Sequence, residues 1–498
     1  MRTSLSHAKT AIKTLVAISA LLLLSALSRP NPQPPDVLLL TRITIVDVAT
    51  GQLQPDRDVL IDHGRISAIR PSTQSAAPSA PPSQSATSPR TIDARGKFLI
   101  PGLWDMHVHL AGISADPSWS KQVLLPLLLI NGITGVRDMG GDLPALLDWK
   151  RQIEDGSLLG PHLVVSGPFL ASNGAKTPEQ IPVADAVEAR AAVRELHDRG
   201  ADFIKIISLP SNAAFLAVAG ESRRQKIPFV GHLPFQVSAT EASNAGMRSI
   251  EHLLYSAFSL SFSSDEHDLR QRLVVAEQKG DFVAWEKIAH EADATYSSTK
   301  AAALFQTLRQ NHTWVTPTLA SLDITSHPDT WDPNDPSLAF VPPALAKQWR
   351  DSLNDDNMTE RAAWLARQAA NDWKLTRELH HAGVPMLVGS DSLDAFVFPG
   401  DSLHKELAEL VRAGFTPAEA LRAATQGASQ FLHREKDFGA VAPQHVADLV
   451  ILDDNPLQDI TNTRKISAVI RGGQYLDRAA LDRLAARATE AAAAVEPK

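Results

Sequence analysis

Short runs of apolar, β-branched residues alternate with longer helical patterns through the middle of the chain. Such alternation is typical of parallel βαβ units whose sheet is covered by helices. The candidate strands are LWDMHVHL, ITGVRDM, HLVVSGP, DFIKIIS, IPFVGHL, SIEHLLY, TWVTPTL and PMLVGSD. Eight such units predict an α/β fold, a (β/α)8 TIM barrel over residues 100–432. Residues 256–312 and 323–380 exceed the usual length of a connection, so we expect helical lids or insertions beside the barrel.

Both ends of the chain carry a different pattern, in which β-branched runs are separated by Gly and Asp turns. Residues 36–99 contain RITIVDVATG, DVLIDHG and RISAIRP, and residues 433–478 contain ADLVILD and ISAVIRGGQYL. This texture predicts a small β-sandwich domain built from both ends of the chain. Residues 71–91 form a Ser/Pro/Ala tract with too few apolar groups to pack, which indicates a disordered insertion. Residues 479–498 are expected to form a C-terminal helix or tail.

The first residues of the chain combine basic side chains with an apolar run. Arg2, Lys9 and Lys13 precede apolar residues 15–27. This run is shorter than the roughly 20 residues that a membrane-spanning helix needs. We therefore expect residues 1–28 to be a cleaved secretory signal, with a retained membrane anchor as the alternative. The mature protein is expected to be exported, periplasmic or secreted, without a stable membrane span.

Composition narrows the class of partner. The 498 residues carry a formal net charge of −8, which leaves no basic stripe for phosphates, so nucleic acid is not an expected partner. The chain contains no cysteine, and this excludes disulfides, a lipidated cysteine and a thiolate nucleophile. The expected partner is a small-molecule or dipeptide substrate, and the question of a homo-oligomer stays open.

Polar residues stand at the ends of several predicted strands. His107 and His109 end the first, His232 the fifth, His252 the sixth and Asp391 the eighth. Each alone has an ordinary interpretation, a structural hydrogen-bonding histidine or a helix N-cap aspartate. Because the strand ends of a barrel converge on one mouth, the five residues together predict a site for divalent metal ions.

Lys205 is the unusual member of this group, since it lies in the apolar strand DFIKIIS. A lysine is costly there unless its charge is paired or removed. One interpretation is a buried ion pair. The interpretation that we favour is a carbamate, formed by capture of carbon dioxide, whose negative charge bridges two cations.

These stretches resemble the amidohydrolase superfamily, and within it the imidazolonepropionase-like and Xaa-Pro dipeptidase-like metal hydrolases. The resemblance covers nearly the whole mature chain and is carried by IPGLWDMHVHL, GITGVRDMGG, FIKI, GHLP, SIEHL, TPTL, GSD and VAPQHVADLVILDDNPLQDI. It implies two divalent ions. Histidine and carboxylate ligands suit Zn²⁺, which is the expected ion, and also Mn²⁺, Co²⁺ and Fe²⁺. It also implies specific ligands: His107 and His109 for the more buried ion, the carbamate of Lys205 as the bridge, His232 and His252 for the second ion, and Asp391 as both ligand and proton shuttle.

The resemblance says less about the substrate. Related dipeptidases often carry a histidine after the third strand, whereas this chain has Ser172, Asn173 and Lys176 there. Tyr255 is expected either to donate to the substrate or to pack at the rim of the site. Arg137, beside Asp138, is expected either to clamp a substrate carboxylate or to form a buried ion pair that orients the site.

Three functions follow from this site. The leading one is hydrolysis of the C–N bond of a dipeptide or N-acyl amino acid by a hydroxide shared between the metal ions, with Asp391 as the proton carrier. The second is opening or deamination of a cyclic amide or amidine, as in imidazolonepropionase, and Lys205 argues against it. The third is a non-catalytic binding barrel, which the full set of ligands argues against.

Overall fold

The computed structural model describes residues 37–72, 89–112, 117–172, 174–253, 257–353 and 356–495. The predicted signal at residues 1–28 and most of the predicted insertion at residues 71–91 lie outside these ranges. Within them, no helix is long and apolar enough to cross a membrane.

The strands follow each other along the chain in three sheets. They are β1 (Leu38–Asp47), β2 (Gln52–Asp62), β3 (Arg65–Pro71), β4 (Arg90–Asp93), β5 (Phe98–Pro101), β6 (Leu103–Val108), β7 (Ile133–Asp138), β8 (His162–Val165), β9 (Phe169–Ala171), β10 (Gln180–Pro182), β11 (Ile204–Ile206), β12 (Phe229–Gly231), β13 (Ser249–Glu251), β14 (Trp314–Thr316), β15 (Leu449–Leu452), β16 (Ile466–Arg471) and β17 (Gln474–Asp477).

The helices lie mainly between the parallel strands. They are α1 (Pro117–Trp119), α2 (Leu125–Ile130), α3 (Leu143–Glu154), α4 (Ala186–Asp198), α5 (Asn212–Gln225), α6 (Ala239–Asn244), α7 (Glu266–Lys279), α8 (Phe282–Ala294), α9 (Ser298–Gln310), α10 (Leu319–Ser326), α11 (Pro343–Ser352), α12 (Asp356–His381), α13 (Asp401–Arg412), α14 (Pro417–Arg422), α15 (Ala428–Phe431) and α16 (Arg478–Ala493).

Strands from the two ends of the chain share one sheet. Its order is β17-β16-β15-β5-β1-β2-β3, and β4 also pairs with β1. The edge strand β3 also pairs with the segment before β15, through a bridge from Arg65 to Val446. The apolar residues of these strands form one core of their own. The hydrogen bonds therefore join strands from both ends of the chain in one continuous sheet around this core. The sequence predicts a β-sandwich built from the same two regions.

The middle of the chain is mixed α/β with parallel sheets. One sheet has the order β6-β7-β8 and the other β10-β9-β11-β12-β13-β14. The predicted third strand contains β8, which pairs with β7, and a further strand that the sequence did not predict, β9, follows it and pairs with β11. Most of these strands are buried along their whole length. Burial on both faces explains why they appear in the sequence as short, almost wholly apolar runs.

The predicted eighth strand differs from the others. Its segment forms no regular strand, but Met386 bridges to Val315 of β14 and Ser392 bridges to Val108 of β6. The backbone N–H of Asp391 also donates to the carbonyl of His107, at 2.9 Å. Asp391 has a left-handed backbone, with φ of 52°, which interrupts extended geometry at this point.

Helical insertions after β13 and β14 flank the sheets. The second includes an aromatic cluster in which Trp331 stacks on Phe396 at 4.6 Å between ring centroids, and Trp349 packs on Phe398 at 5.7 Å. All four side chains are buried. Because both phenylalanines belong to the loop that follows Asp391, the insertion anchors the loop that carries this carboxylate.

Candidate metal centre

Five of the six predicted ligands meet in contact with one another. The Asp391 carboxylate lies among the imidazoles, with Oδ1 at 3.3 Å from His107 Nε2 and 3.5 Å from His109 Nε2. Its Oδ2 lies 3.8 Å from Nδ1 of His252. The His252 ring is 4.8 Å from the His107 ring and 4.8 Å from the His232 ring, between centroids. Residues from β6, from the ends of β12 and β13 and from the segment after Val388 thus converge on one point.

The chain supplies ligand atoms at distances that suit a metal ion. One ligand atom each from His107, His252 and Asp391 can be chosen so that all lie within 4.8 Å of one another. The side chains of His107 and His252 are buried, whereas those of His109 and Asp391 are 29% and 20% exposed. The centre therefore has a closed inner side and an outer side that solvent reaches.

Lys205, the sixth predicted ligand, lies at the centre of β11 and is 1% exposed. Its Nζ has no hydrogen-bond partner among the described residues. Burial lowers the pKa of this amine to about 8, although Glu251 and Asp391 act in the opposite direction. Its charge contributes to lowering the pKa of both His107 and His232, so the amine is electrostatically part of the same cluster.

The electrostatics favour neutral His107, His232 and His252 beside an ionised Asp391, whereas the pKa of His109 is raised, because the hydrogen bond and charge of Asp391 outweigh its burial. Burial, followed by the charge of Lys205, brings the pKa of His107 and of His232 well below the ordinary value. Burial alone would raise the pKa of Asp391, but His107 and His252 lower it below its ordinary value. Neutral imidazole and ionised carboxylate are the protonation states in which these side chains bind metals.

The residues present fit divalent metal ions. The Nε2 atom of His107 and the Nζ atom of Lys205 are both buried and lack a hydrogen-bond partner among the described residues. Buried polar groups without partners are rare in native proteins and call for a ligand, an ion or water. The donor set of imidazole nitrogen and carboxylate oxygen suits Zn²⁺ and its first-row neighbours.

Glu251, which the sequence interpretation did not single out, orients His107. Its Oε2 lies 3.1 Å from His107 Nδ1, so an N–H at Nδ1 can donate to it and the ring directs Nε2 toward Asp391. Such carboxylate partners are common behind metal-binding histidines. The available signal was the motif SIEHL, in which an acid stands in an apolar strand directly before a histidine.

Arg137 is buried against Glu251 and does not line the mouth of the site. Its Nη2 donates to both carboxylate oxygens of Glu251 at 2.8 Å, and its Nη1 and Nε donate to Ser249 Oγ and the Met106 carbonyl. The side chain is 1% exposed. This geometry differs from the predicted carboxylate clamp, because the guanidinium is buried and engaged. Arg137 instead forms a buried ion pair, and its partner is Glu251 and not the neighbouring Asp138.

Two buried aspartates hold the loops of the centre by accepting backbone hydrogen bonds. Asp138 accepts from Leu110 N at 2.6 Å, just after His109. Asp105 accepts from the N–H groups of His107 and Ser390, at 3.2 and 2.9 Å. Burial raises the pKa of Asp138 to about 6 and that of Asp105 to about 7. These contacts tie the histidine strand to the segment that carries Asp391.

The predicted substrate contacts are less defined. Tyr255 and Asn173 lie outside the described residues. Ser172 interacts with Ser208, which follows β11, through an Oγ–Oγ distance of 3.1 Å. Lys176 is exposed and forms an ion pair with Glu195 at 3.0 Å. Neither Ser172 nor Lys176 takes part in the contacts of the metal centre.

A family model for the amidohydrolase family matches residues 98–476. The chain belongs to the amidohydrolase family. This family assignment makes it a hydrolase that acts on C–N bonds. The match covers the two parallel sheets. It also covers β5, β15, β16 and most of β17 in the sheet that both ends of the chain build. Every residue of the centre described above lies within it.

Individual relatives are more distant. Ochratoxinase from Aspergillus niger is 24% identical over 441 residues, which is 76% of this chain and 76% of the relative. The structure of a bottromycin amidohydrolase has a TM-score of 0.66 at 24% identity and covers 94% of this chain and 93% of that chain. A Xaa-Pro dipeptidase with methionine in its active site has a TM-score of 0.64 at 19% identity, over 89% of this chain and 100% of that chain. At such identities the structures support the fold and leave the substrate open.

Proposed function

We propose that the protein is a two-metal amide hydrolase that cleaves the C–N bond of a dipeptide or N-acyl amino acid. The active site would lie at the mouth of a closed (β/α)8 barrel. Closure is supported by the segment 385–392, since Leu387 N donates to Val315 O and Met106 N donates to Val388 O, at 2.9 and 2.8 Å. The segment thus bonds to β14 on one side and to β6 on the other, and takes the place of an eighth strand.

The observation that carries the proposal is the Lys205 amine, which is buried and has no hydrogen-bond partner among the described residues. A buried amine without a hydrogen bond is costly, and a protonated amine would repel cations held by the neighbouring histidines. Addition of the amine nitrogen to the carbon of CO₂, with release of one proton, converts Lys205 into a carbamate. The carbamate would supply two oxygens that share one negative charge, and it would be stabilised in return by the ions that it joins.

Each side chain has a defined task in this proposal. Divalent ions, most simply Zn²⁺, would supply a water of lowered pKa and polarise the scissile carbonyl. Glu251 keeps His107 in one orientation, and Asp105 holds the backbone between His107 and Ser390. Asp391, whose side chain is 20% exposed, faces the solvent side and can take a proton from the attacking water and return it to the departing amine.

The similar proteins named above support an amide substrate in general terms, because their names refer to an amidohydrolase, an ochratoxinase and a Xaa-Pro dipeptidase. A cyclic amide or amidine stays the alternative, and Lys205 disfavours only its imidazolonepropionase-like form, which resembles the single-metal branch that lacks the bridging lysine. We further propose that the protein acts after export, in the periplasm or outside the cell, where it would process peptides or acylated amino acids.

Metal content tests this proposal directly. The wild-type protein, loaded with Zn²⁺ in bicarbonate buffer, is expected to hold two ions per chain by elemental analysis. Lys205→Ala is expected to hold one or fewer, and propionate at high concentration should partly restore both metal and activity by taking the bridging position. Lys176→Ala, which removes an exposed lysine outside the centre, is the matched control.

Activity is measured in parallel on dipeptides, N-acyl amino acids and cyclic ureides. Equal metal content in wild type, Lys205→Ala and Lys176→Ala would contradict the carbamate bridge. Turnover of cyclic ureides without turnover of linear amides would favour the alternative substrate class.

A further inference from the structure

The residue after the seventh parallel strand has an unusual backbone. Thr318 follows β14 and Pro317, and its φ of 53° and ψ of 45° place it in the left-handed region. A β-branched residue is a strained occupant of that region. Thr318 is one of twelve non-glycine residues with positive φ in the described ranges, and the group also includes His252 and Asp391 of the centre, with φ of 62° and 52°. Strain of this kind gathers at functional sites, where the surrounding structure must maintain it.

The ordinary role of a threonine at this position would be to cap a helix. Thr318 stands at the N-cap of α10, yet its side chain makes no capping hydrogen bond. A different side chain serves the start of the helix, because Glu406 accepts from the backbone N–H of Ala320 at 2.6 Å. The Thr318 hydroxyl is therefore not needed for α10.

The hydroxyl instead contacts a predicted metal ligand. Thr318 Oγ1 lies 2.7 Å from Nδ1 of His252, nearer than the Asp391 carboxylate, which is 3.8 Å from the same nitrogen. The single hydroxyl hydrogen is donated to the Pro317 carbonyl, at 2.7 Å. Because a carbonyl oxygen can only accept, both contacts are hydrogen bonds only when the hydroxyl donates to Pro317 and accepts from His252, in which case Nδ1 carries the proton. This places the imidazole lone pair on Nε2.

We propose that Thr318 is a positioning residue of the metal centre, which holds His252 in the tautomer with the proton on Nδ1 and so presents Nε2 to the metal. The strained backbone of Thr318 is retained because it brings the hydroxyl to His252. Glu251 does the corresponding work for Nδ1 of His107, so two histidines are held by partners of different chemistry. The inference rests on the proposed function in that it takes His252 to be a metal ligand.

The test compares Thr318→Val, which keeps the branched shape and lacks the hydroxyl, with Thr318→Ser, which keeps the hydroxyl. In the metal-free proteins, ¹⁵N spectra of ring-labelled histidine report the tautomer of His252, assigned with His252→Gln. We expect wild type and Thr318→Ser to show the proton on Nδ1 and Thr318→Val to show a mixture. Competition with a chromophoric chelator should give a 10- to 100-fold weaker affinity for one Zn²⁺ in Thr318→Val and little change in Thr318→Ser.

Some results would overturn the inference. They are a Thr318→Val protein with the wild-type tautomer and wild-type zinc affinity, and equal weakening in the valine and serine variants, which would mean that shape and not the hydroxyl matters. If Thr318→Val does not fold, Thr318→Ala removes the hydroxyl together with the branch, and the same two measurements apply. A wild-type protein that binds no zinc would refute the proposed function, while the tautomer in the metal-free protein would still decide whether Thr318 holds His252.

Discussion

Arg137 and Lys205 are two buried basic side chains that lie close together in the parallel sheets, and they differ in their hydrogen bonds. Arg137 of β7 donates to Glu251, to Ser249 and to a backbone carbonyl. Lys205 of β11 has no hydrogen-bond partner among the described residues, although both side chains are 1% exposed. Their charges also interact, since Arg137 contributes to the lowered pKa of Lys205, after the larger effect of burial.

The difference separates a structural cation from a reactive one. A guanidinium offers several donors in a fixed plane and suits a buried carboxylate, so the region around Arg137 is complete within the chain itself. An amine can lose its proton and react, so the region around Lys205 is complete only when something is added. Burial alone does not distinguish the two roles, whereas the residue type and the hydrogen bonds do.

The largest effect is expected on the side of Lys205, at the carboxylate that shares its cluster. Asp391→Asn keeps the shape of the side chain and removes its basicity. Turnover should fall by roughly 10²- to 10⁴-fold, as for a lost general base, while KM changes little. Steady-state kinetics on the best substrate, together with metal analysis, measure this effect.

Asp394→Asn, three residues further along the same loop, is the matched control and is expected to keep near wild-type turnover. If Asp391→Asn retains both its metal and its turnover, the proton is carried by another group.

A smaller effect is expected on stability, with opposite signs for the two cations. Arg137→Met leaves Glu251 buried without its partner and should lower the free energy of unfolding by about 3–5 kcal/mol. Lys205→Met removes an amine that lacks a hydrogen bond and should raise the same quantity by about 1–3 kcal/mol. Urea unfolding of the metal-free proteins provides the measurement. Equal destabilisation by both substitutions would erase the proposed distinction between the two regions.

The smallest effect extends the comparison to a buried carboxyl group. Glu406 accepts from Ala320 through one oxygen, while Oε1 has no hydrogen-bond partner among the described residues. Burial raises its pKa from 4.5 to about 8. Across this interval the folded protein retains a proton that the unfolded chain has released, so the free energy of unfolding falls as pH rises.

Glu406→Gln removes this titration. The variant should be more stable than wild type by about 1–3 kcal/mol at pH 8, and the difference should vanish toward pH 4.5. Thermal or urea unfolding at several pH values would measure it. A difference that grows toward acid pH would mean that Glu406 is ionised in the folded protein.

Much of the fold and of the site could be predicted from the sequence, because both depend on local pattern. Seven of the eight predicted parallel strands contain regular strands of the structure. His107 and His109, like His232, His252 and Asp391, could be singled out by their places at the ends of apolar runs, since the spacing of the two histidines is weak evidence alone. The eighth segment, residues 385–391, has the apolar composition of a strand, but it forms an isolated bridge instead of a regular strand and ends at the left-handed Asp391, and its composition does not indicate this.

The sequence by itself thus determined which residue types stand at the strand ends, and so the kind of chemistry that the chain can perform. The tertiary structure alone decided which partner completes each of them. Glu251 contacts His107 across 144 positions, and Thr318 contacts His252 across 66. No periodicity links residues so far apart, because their contact arises only when separate strands come together. For the same reason, the choice between a substrate clamp and a buried ion pair for Arg137 could be made only from its hydrogen bonds with Glu251.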